Sequence, residues 1–192
     1  VQTCALPICN DSIFYYANII IDRAKKSNIM YKYIIDDVTT RYLQDGIMGH
    51  DEIYVNMIDK YFKSGIATWL SPSDVEMNVN RANKWRNLLV GKTIPDLACP
   101  EKDTTTTWHH LNEIKAKYKV LIFWSVECGH CTEEMPKIAI FYNDNKQKYD
   151  MEVFALHTEG DIKQRDEFVK KYNLNWINVN GSFANYDWRE YF

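Results

Sequence analysis

Two cysteines separated by two residues are the clearest chemical feature of this sequence. Cys128 and Cys131 enclose Gly129 and His130, and a five-residue apolar run, 120–124, ends shortly before them. Disulfide exchange needs a thiolate as its nucleophile, and unpaired backbone N–H groups at a helix N-terminus stabilise such an anion. A buried strand, a short turn and a helix that starts within the motif would therefore give a reactive thiol and a second sulfur within its reach.

The same order along the chain predicts different roles for the two sulfurs. Cys128, at the turn, is predicted to be the exposed attacking thiol, and Cys131, one turn into the helix, the shielded resolving thiol. His130 would stabilise the thiolate and make the couple more oxidising. The carboxylate of Glu127 would raise the pKa of Cys128, unless it is simply a solvated charge. The residue types alone do not rank these opposing effects.

A zinc site is the main alternative use of such a cysteine pair. Structural zinc takes four ligands, typically from two pairs, and the sequence has no second Cys-x-x-Cys. His109 and His110 are neighbours on a predicted helix and would diverge, so we predict neither a metal nor a cofactor. Cys99 is interpreted as a buried apolar residue and His157 as a structural histidine with its hydrogen bonds satisfied.

Composition excludes several broad classes of protein. The 192 residues are 46% hydrophobic and 26% charged, with a net charge of −3. This composition predicts a folded chain with a buried core, and the negative charge argues against a general nucleic-acid binder. The longest apolar runs are far too short to span a bilayer.

Both ends of the sequence are unusual. Residues 1–8 resemble the translation of a sequencing-library adapter, so residues 1–9 are predicted to be a non-native leader. This interpretation removes Cys4 and Cys9 from the natural cysteines. The chain stops directly after a helix-like stretch, and we expect it to be an internal piece of a longer protein.

Residues 10–90 have apolar residues at helical spacing and predict an all-helical region. The predicted helices cover residues 11–26, 29–44, 51–63 and 71–90. Ser71 followed by Pro72 is typical of a helix start. Four helices with short connections indicate a small bundle or stacked helical hairpins.

From Gly91 the pattern changes to strands that alternate with helices. Residues 94–97 and 104–107 predict a short hairpin or an extended lead-in, and residues 108–117 a short helix. Three strands are predicted at 120–124, 151–157 and 176–179, with helices at 132–146 and 163–172. The two central strands are continuous apolar runs, as in strands buried on both faces. A parallel α/β sheet with right-handed crossovers is the expected arrangement.

Residues 91–192 resemble the thioredoxin-fold thiol-disulfide oxidoreductases of the TlpA/ResA type. The resemblance is carried by residues 91–97 (GKTIPDL), the strand ending in Phe123 and Trp124, the Cys-Gly-His-Cys motif, and Pro136, which lies where the family's active-site helix is kinked by proline. Residues 10–90 are similar to an uncharacterised helical domain that precedes such domains in some Bacteroidetes-type proteins, and this implies no activity.

The resemblance implies an α/β fold in which a helical domain (10–90) precedes an incomplete thioredoxin-like domain (91–192). The final two antiparallel strands and the last helix are expected to be missing, because no proline-bearing loop follows Pro136. One edge of the strand 120–124 would then be bare, and we expect the piece alone to be poorly stable or inactive. Ile122 stands where thioredoxin has a buried acid.

The function implied by the resemblance is disulfide exchange with protein thiols and disulfides. Cys128 and Cys131 would carry it, and the residues expected to modulate the pair are Trp124, Glu127, Gly129, His130 and Pro136. A periplasmic or otherwise extracytoplasmic location and a membrane-linked or soluble redox partner are also implied, with no nucleic acid. The alternative is a redox-inactive binding or scaffold module whose helical region docks a partner. A peroxiredoxin is disfavoured because the stretch before Cys128 lacks the usual Thr-x-x-Cys pattern.

Overall fold

The computed structural model describes residues 9–192, which form two compact units. One unit ends at Ile94 and also takes in Glu190–Phe192, and the other is Pro95–Arg189. The sequence pattern changes a few residues earlier, at Gly91. The predicted non-native leader lies outside the described residues apart from Cys9. None of the helices described is long and apolar enough to cross a membrane.

The first unit is all-helical, as the apolar spacing predicts. Its helices are α1 (Asn10–Ala24), α2 (Asn28–Gln44), α3 (Asp51–Met57), which continues as a π-helical turn (Ile58–Phe62), and α4 (Pro72–Arg86). Side-chain caps start two of them. Ser27 Oγ accepts the N–H of Met30 at 3.4 Å, and Ser71 Oγ accepts that of Asp74 at 3.1 Å.

The core of this unit is centred on α3. Ile53, Tyr54 and Met57 are fully buried, and the other helices pack around them. The hydroxyl of Tyr54 donates to Asn78 Oδ1 at 2.8 Å, so the buried ring keeps a polar partner on α4. The four apolar residues of this short helix are thus buried by its longer amphipathic neighbours.

The second unit begins with a hairpin that the sequence only partly predicts. β1 (Ala98–Pro100) pairs antiparallel with β2 (Trp108–His110), and residues 104–107 lie in the connection. The helix predicted at 108–117 is therefore wrong. Its first residues pair with β1, and only a 3₁₀ turn, Leu111–Glu113, follows them. Pairing with a distant segment overrides the local preference of a short stretch.

The main sheet has three parallel strands in the order β3-β4-β5. These are β3 (Tyr118–Trp124), β4 (Met151–His157) and β5 (Ile177–Asn180). They are connected by α5 (Gly129–Tyr149) and α6 (Ile162–Lys171). The predicted alternation of strands and helices is confirmed. In the register, His157 lies opposite Trp124 on one side and Asn180 on the other.

Burial differs between the two strands expected to be buried on both faces. β4 is buried from Val153 to His157, as predicted. β3 is only half-buried between Val120 and Phe123, so the prediction is wrong for this strand. The reason is its position: among the described strands, β3 pairs with β4 alone and forms the edge of the sheet.

Close packing at Gly181 generates a stability prediction. A Cβ there would approach Leu156 Cδ2 more closely than real Cβ contacts allow, and it would lie 3.0 Å from Trp188 Nε1. We expect Gly181→Ala to lower the free energy of unfolding by about 1–3 kcal/mol through overpacking, measured by urea unfolding. Gly46→Ala is the matched control, since no atom lies within 4 Å of that Cβ. Equal stability of the two variants would contradict the packing described here.

Candidate active site

The cysteine pair lies where β3 passes into α5. β3 ends at Trp124, and Cys128 is the residue that caps α5, which begins at Gly129. The N–H of Cys128 donates to Ser125 O at 3.2 Å and closes the turn. The N–H of Cys131 donates to Cys128 Sγ at 3.3 Å. A backbone donor at a helix N-terminus is therefore directed at this sulfur, the contact that stabilises a thiolate.

The two sulfurs are joined in a disulfide, with the Cα atoms of Cys128 and Cys131 5.2 Å apart. Both residues are half-buried, so burial does not separate an exposed attacking thiol from a shielded one. Position along the helix does distinguish them. Cys128 receives the helix N–H as its cap, whereas Cys131 is inside the first turn and packs against the core beneath α5.

The two residues between the cysteines are exposed. A side chain at Gly129 would meet no atom within 4 Å, so this position offers open space beside the disulfide. The hydrogen bond from Lys137 is the main cause of a lowered pKa of Glu134, and the charge of His130 contributes in the same direction. The imidazole of His130 is thus near Glu134, one turn further along α5.

Trp124 belongs to the buried apolar cluster against which Cys131 packs. It is 2% exposed, packs against Phe168 of α6 and belongs to the same apolar cluster as Cys131. Ile122 contributes to this cluster from β3. Pro136 lies within α5, which continues past it to Tyr149. Of the five modulating residues predicted from sequence, Trp124 thus lies in the apolar cluster that includes Cys131, and Pro136 lies inside α5.

His157 differs from its predicted role as a satisfied structural histidine. It is 1% exposed, and its Nε2 has no hydrogen-bond partner among the described residues. Its ring meets Trp124 edge-on, with centroids 5.5 Å apart. The pKa of His157 is lowered to about 4, mainly by burial and also by the charge of Arg165, while Asp166 acts in the opposite direction. The imidazole is therefore neutral near pH 7.

The remaining residues noted in the sequence do not gather at the site. Cys99 is fully buried in β1, and burial raises the pKa of its thiol to about 12. His109 Nε2 lies 3.0 Å from Glu101, and His110 Nδ1 lies 2.9 Å from Asp96. Within residues 9–192, no group of three or more His, Cys, Asp or Glu side chains is arranged to hold a metal ion.

Sequence reasoning missed Ser125. Its hydroxyl is buried, donates to Glu159 O at 3.0 Å and accepts the N–H of Glu127 at 3.0 Å. It therefore connects the turn before Cys128 to the loop after β4. Only the position of Ser125, directly after a strand and close to the motif, could have indicated this role, because its partner lies 34 residues away.

The buried imidazole predicts a pH dependence of stability. His157 has a folded-state pKa of about 4 against 6.5 for an unperturbed histidine, so the unfolded chain binds its proton first. Stability should therefore fall as the pH drops from 6.5 towards 4. Between pH 7 and pH 5, the free energy of unfolding should fall by about 2 kcal/mol less in His157→Gln than in the unchanged protein, measured by urea unfolding.

His110→Gln is the control, because the pKa of His110 is shifted in the opposite direction to that of His157. The hydrogen bond to Asp96 raises the pKa of His110, so this histidine favours the folded state at low pH. Its removal should leave the acid sensitivity unchanged or slightly larger. If both variants reduce the sensitivity equally, His157 is not its source.

Comparisons with known proteins were made for the sequence and for the fold. Residues 90–180 match the family model of the AhpC/TSA family. No curated protein matches the chain. A domain of a possible thiol-disulfide isomerase from Cytophaga hutchinsonii is 32% identical over 54% of this chain and 69% of its own, with a TM-score of 0.48.

Two further solved structures are similar. A thioredoxin-like protein from Bacteroides caccae is 16% identical over 90% of this chain and 61% of its own, with a TM-score of 0.66. A secreted Mycobacterium tuberculosis disulfide oxidoreductase homologous to E. coli DsbE is 24% identical over 49% of this chain and 66% of its own, with a TM-score of 0.41. The chain thus spans 61 to 69% of the length of these three proteins.

The Bacteroides caccae protein supports the whole fold, because a match over 90% of the chain must include most of the helical unit. The family match begins five residues before the second unit, lies otherwise within it, and contains both cysteines of the pair. The predicted resemblance to thioredoxin-like thiol-disulfide oxidoreductases is therefore confirmed at the level of the fold. Residues 90–180 are similar to the AhpC/TSA family, and the second unit has a thioredoxin-like fold.

Proposed function

We propose that this protein is a thiol-disulfide oxidoreductase that exchanges disulfides with protein substrates through Cys128 and Cys131. The observation that carries the proposal is the contact between Cys131 N–H and Cys128 Sγ at the start of α5, within a pair already closed as a disulfide. A sulfur that accepts a helix N–H is a better thiolate and a better leaving group than a free thiol. The fold alone would not support this activity.

In the reducing direction, the thiolate of Cys128 attacks one sulfur of a substrate disulfide. A mixed disulfide forms, and the other substrate sulfur leaves as a thiolate that takes up a proton. The sulfur of Cys131 loses its proton, attacks Cys128 and releases the second substrate thiol. Two electrons pass from the cysteine pair to the substrate, and one protein disulfide replaces one substrate disulfide. The oxidising direction reverses each step.

The proposal extends to location and partners. Support comes from the resemblance of residues 91–192 to TlpA/ResA-like proteins, which work in the cell envelope. In that setting, a membrane-linked or soluble redox partner would renew the state of the cysteine pair, and protein thiols or disulfides would be the substrates. A Cys-Gly-His-Cys pair suits oxidation or isomerisation as well as reduction, since the intervening residues set the potential.

A specific observation favours the second candidate, a module that docks a partner through its helical unit. Aromatic side chains at helical spacing predict core residues, yet Tyr15, Tyr16 and Tyr33 are each more than 60% exposed. Ile29 is also exposed, one turn before Tyr33 on α2. Such side chains are enriched at protein interfaces. Exposed aromatic side chains would serve an active oxidoreductase equally well, so docking and exchange are compatible.

Single cysteine variants test the proposed exchange. Cys131→Ser should stop the reaction at a mixed disulfide between Cys128 and a model protein disulfide, because no resolving sulfur remains. Cys128→Ser should give no such adduct. The unchanged pair should titrate as one two-electron couple with a potential between about −270 and −120 mV, measured against glutathione or dithiothreitol buffers. Adducts are detected by intact mass under non-reducing conditions.

All variants should carry Cys4→Ser and Cys9→Ser, since Cys9 is an exposed free thiol and would give background adducts. Cys99 can stay because it is fully buried. The proposal fails if the reduced pair shows no two-electron couple, or if Cys131→Ser traps nothing with any disulfide probe.

A further inference from the structure

His157 lies at the same level of the second unit as the start of α5. Side chains alternate along a strand, so His157 shares one face of β4 with Val153 and Ala155, which belong to the apolar cluster beneath α5. α5 begins near the carboxyl end of β3, and its first turn contains Cys131, which packs against the same cluster. Because His157 is the last residue of β4, its side chain lies at the level of this first turn.

Hydrogen bonds connect the end of β4 to the turn that precedes the cysteine pair. The N–H of Thr158, the residue directly after His157, donates to Trp124 O at 2.9 Å. One residue further along, Glu159 O accepts the hydroxyl of Ser125 at 3.0 Å. These contacts hold the imidazole close to the turn, with the indole ring of Trp124 against it.

The imidazole of His157 is a buried group that can gain a proton in weak acid. Among residues 9–192, the buried polar side chains of the second unit are Ser125, His157, Arg165 and Asn180. A hydroxyl and an amide do not titrate in this range, and a guanidinium stays charged. His157 is 1% exposed, and its Nε2 has no hydrogen-bond partner among the described residues. The indole Nε1 of Trp124 is buried in the same way, but it is only a donor and cannot bind a proton.

The charged neighbours of His157 on α6 keep their charge in weak acid. Arg165 and Asp166 act on the imidazole in opposite directions, and Arg165 Nε donates to Asp166 Oδ1 at 3.0 Å. Burial raises the pKa of Asp166, yet hydrogen bonds from Lys102 and Arg165 hold it below its ordinary value, so this carboxylate stays ionised. The other flanking elements contribute uncharged or exposed groups: Trp124 on β3, Asn180 on β5, His130 and Glu133 on α5, and Glu159 and Asp161 after β4. The cysteine pair is the neighbour whose charge changes on reduction.

We propose that His157 is the proton site of the cysteine pair. Reduction of the disulfide is accompanied by binding of a proton to the imidazole, and the imidazolium then stabilises the thiolate of Cys128. This inference rests on the proposed function, since it concerns electron transfer to the same pair. A reducing dithiol supplies two electrons and two protons and becomes a disulfide as the bond between Cys128 and Cys131 breaks. One proton goes to the sulfur of Cys131 and the other to His157, and the oxidising direction returns both.

This coupling makes the pair a stronger oxidant in weak acid. In the disulfide form the pKa of His157 is lowered to about 4, mainly by burial. A thiolate at the level of the ring favours the imidazolium, so reduction should raise this pKa by about one to two units. By linkage, the reduced form gains stability as the pH falls from 7 towards 5, and the gain is absent above the raised pKa.

NMR titration of the histidine side chains tests the coupling on the full chain with Cys4→Ser and Cys9→Ser. The ring resonances of His157 are assigned through the backbone, and the pKa is measured in the disulfide form and after reduction with dithiothreitol. We expect a pKa about one to two units higher in the reduced form. Cys128→Ser is the matched control: it keeps the thiol of Cys131 but cannot form the thiolate, so the pKa of His157 should stay low under reducing conditions.

Redox equilibria give a second readout. The equilibrium constant for oxidation of glutathione by the pair is measured at pH 5.0 and pH 7.5. We expect the ratio of the constant for the unchanged protein to that for His157→Gln to be about two- to tenfold larger at pH 5.0. His109→Gln is the control, since His109 lies on β2 beside Glu101, and its ratio should not change with pH.

The outcomes separate this inference from the proposed function. An unchanged pKa of His157 on reduction, or a rise that persists in Cys128→Ser, would overturn the coupling and leave the oxidoreductase intact. The same holds if the gain in weak acid survives in His157→Gln and is lost in His130→Gln, since the proton would then bind between the cysteines. If the unchanged protein shows no two-electron couple at pH 7.5, the proposed function fails and the coupling fails with it.

Discussion

The hydrogen bond from Cys131 N–H to Cys128 Sγ is the interaction on which the rest of this structure depends. It exists because α5 begins at Gly129, so an unpaired N–H of the first turn is directed at the preceding residue's sulfur. Thiolate stability, nucleophilicity and the ease with which the disulfide is reduced all follow from this one contact. The sheet and helices serve to fix where β3 ends and α5 begins.

Two aromatic side chains near the cysteine pair have a buried ring nitrogen without a hydrogen-bond partner among the described residues. Trp124 Nε1 and His157 Nε2 are both buried without a hydrogen-bond partner among the described residues, and the two rings touch. Each orphaned group costs free energy on folding. Buried, unsatisfied polar atoms of this kind are uncommon, and here they lie at the carboxyl ends of two adjacent strands, next to the redox pair.

The carboxylate of Glu127 and the N-terminus of α5 affect the stability of a Cys128 thiolate in opposite directions. Glu127 disfavours a neighbouring thiolate, whereas the helix N–H favours it. The carboxylate of Glu127 lies against Gly160, in the loop after β4.

Local pattern was enough to predict the elements that local interactions form. Apolar spacing and the cap at Ser71 predict the helices, and continuous apolar runs predict β3 and β4, because these signals lie within a few residues of each other. The chemistry of Cys128 and Cys131 follows in the same way from strand, turn and helix in sequence.

Tertiary structure alone decided the features that depend on distant partners. β2 is a strand because β1 pairs with it, and the burial of β3 depends on its position at the edge of the sheet. His157 is buried against Trp124 of the neighbouring strand, and its Nε2 has no partner among the described residues. Ser125 joins Glu127 to a residue 34 positions away. A sequence pattern reports what neighbours along the chain favour, and burial and pairing across the fold are set by atoms that the pattern does not contain.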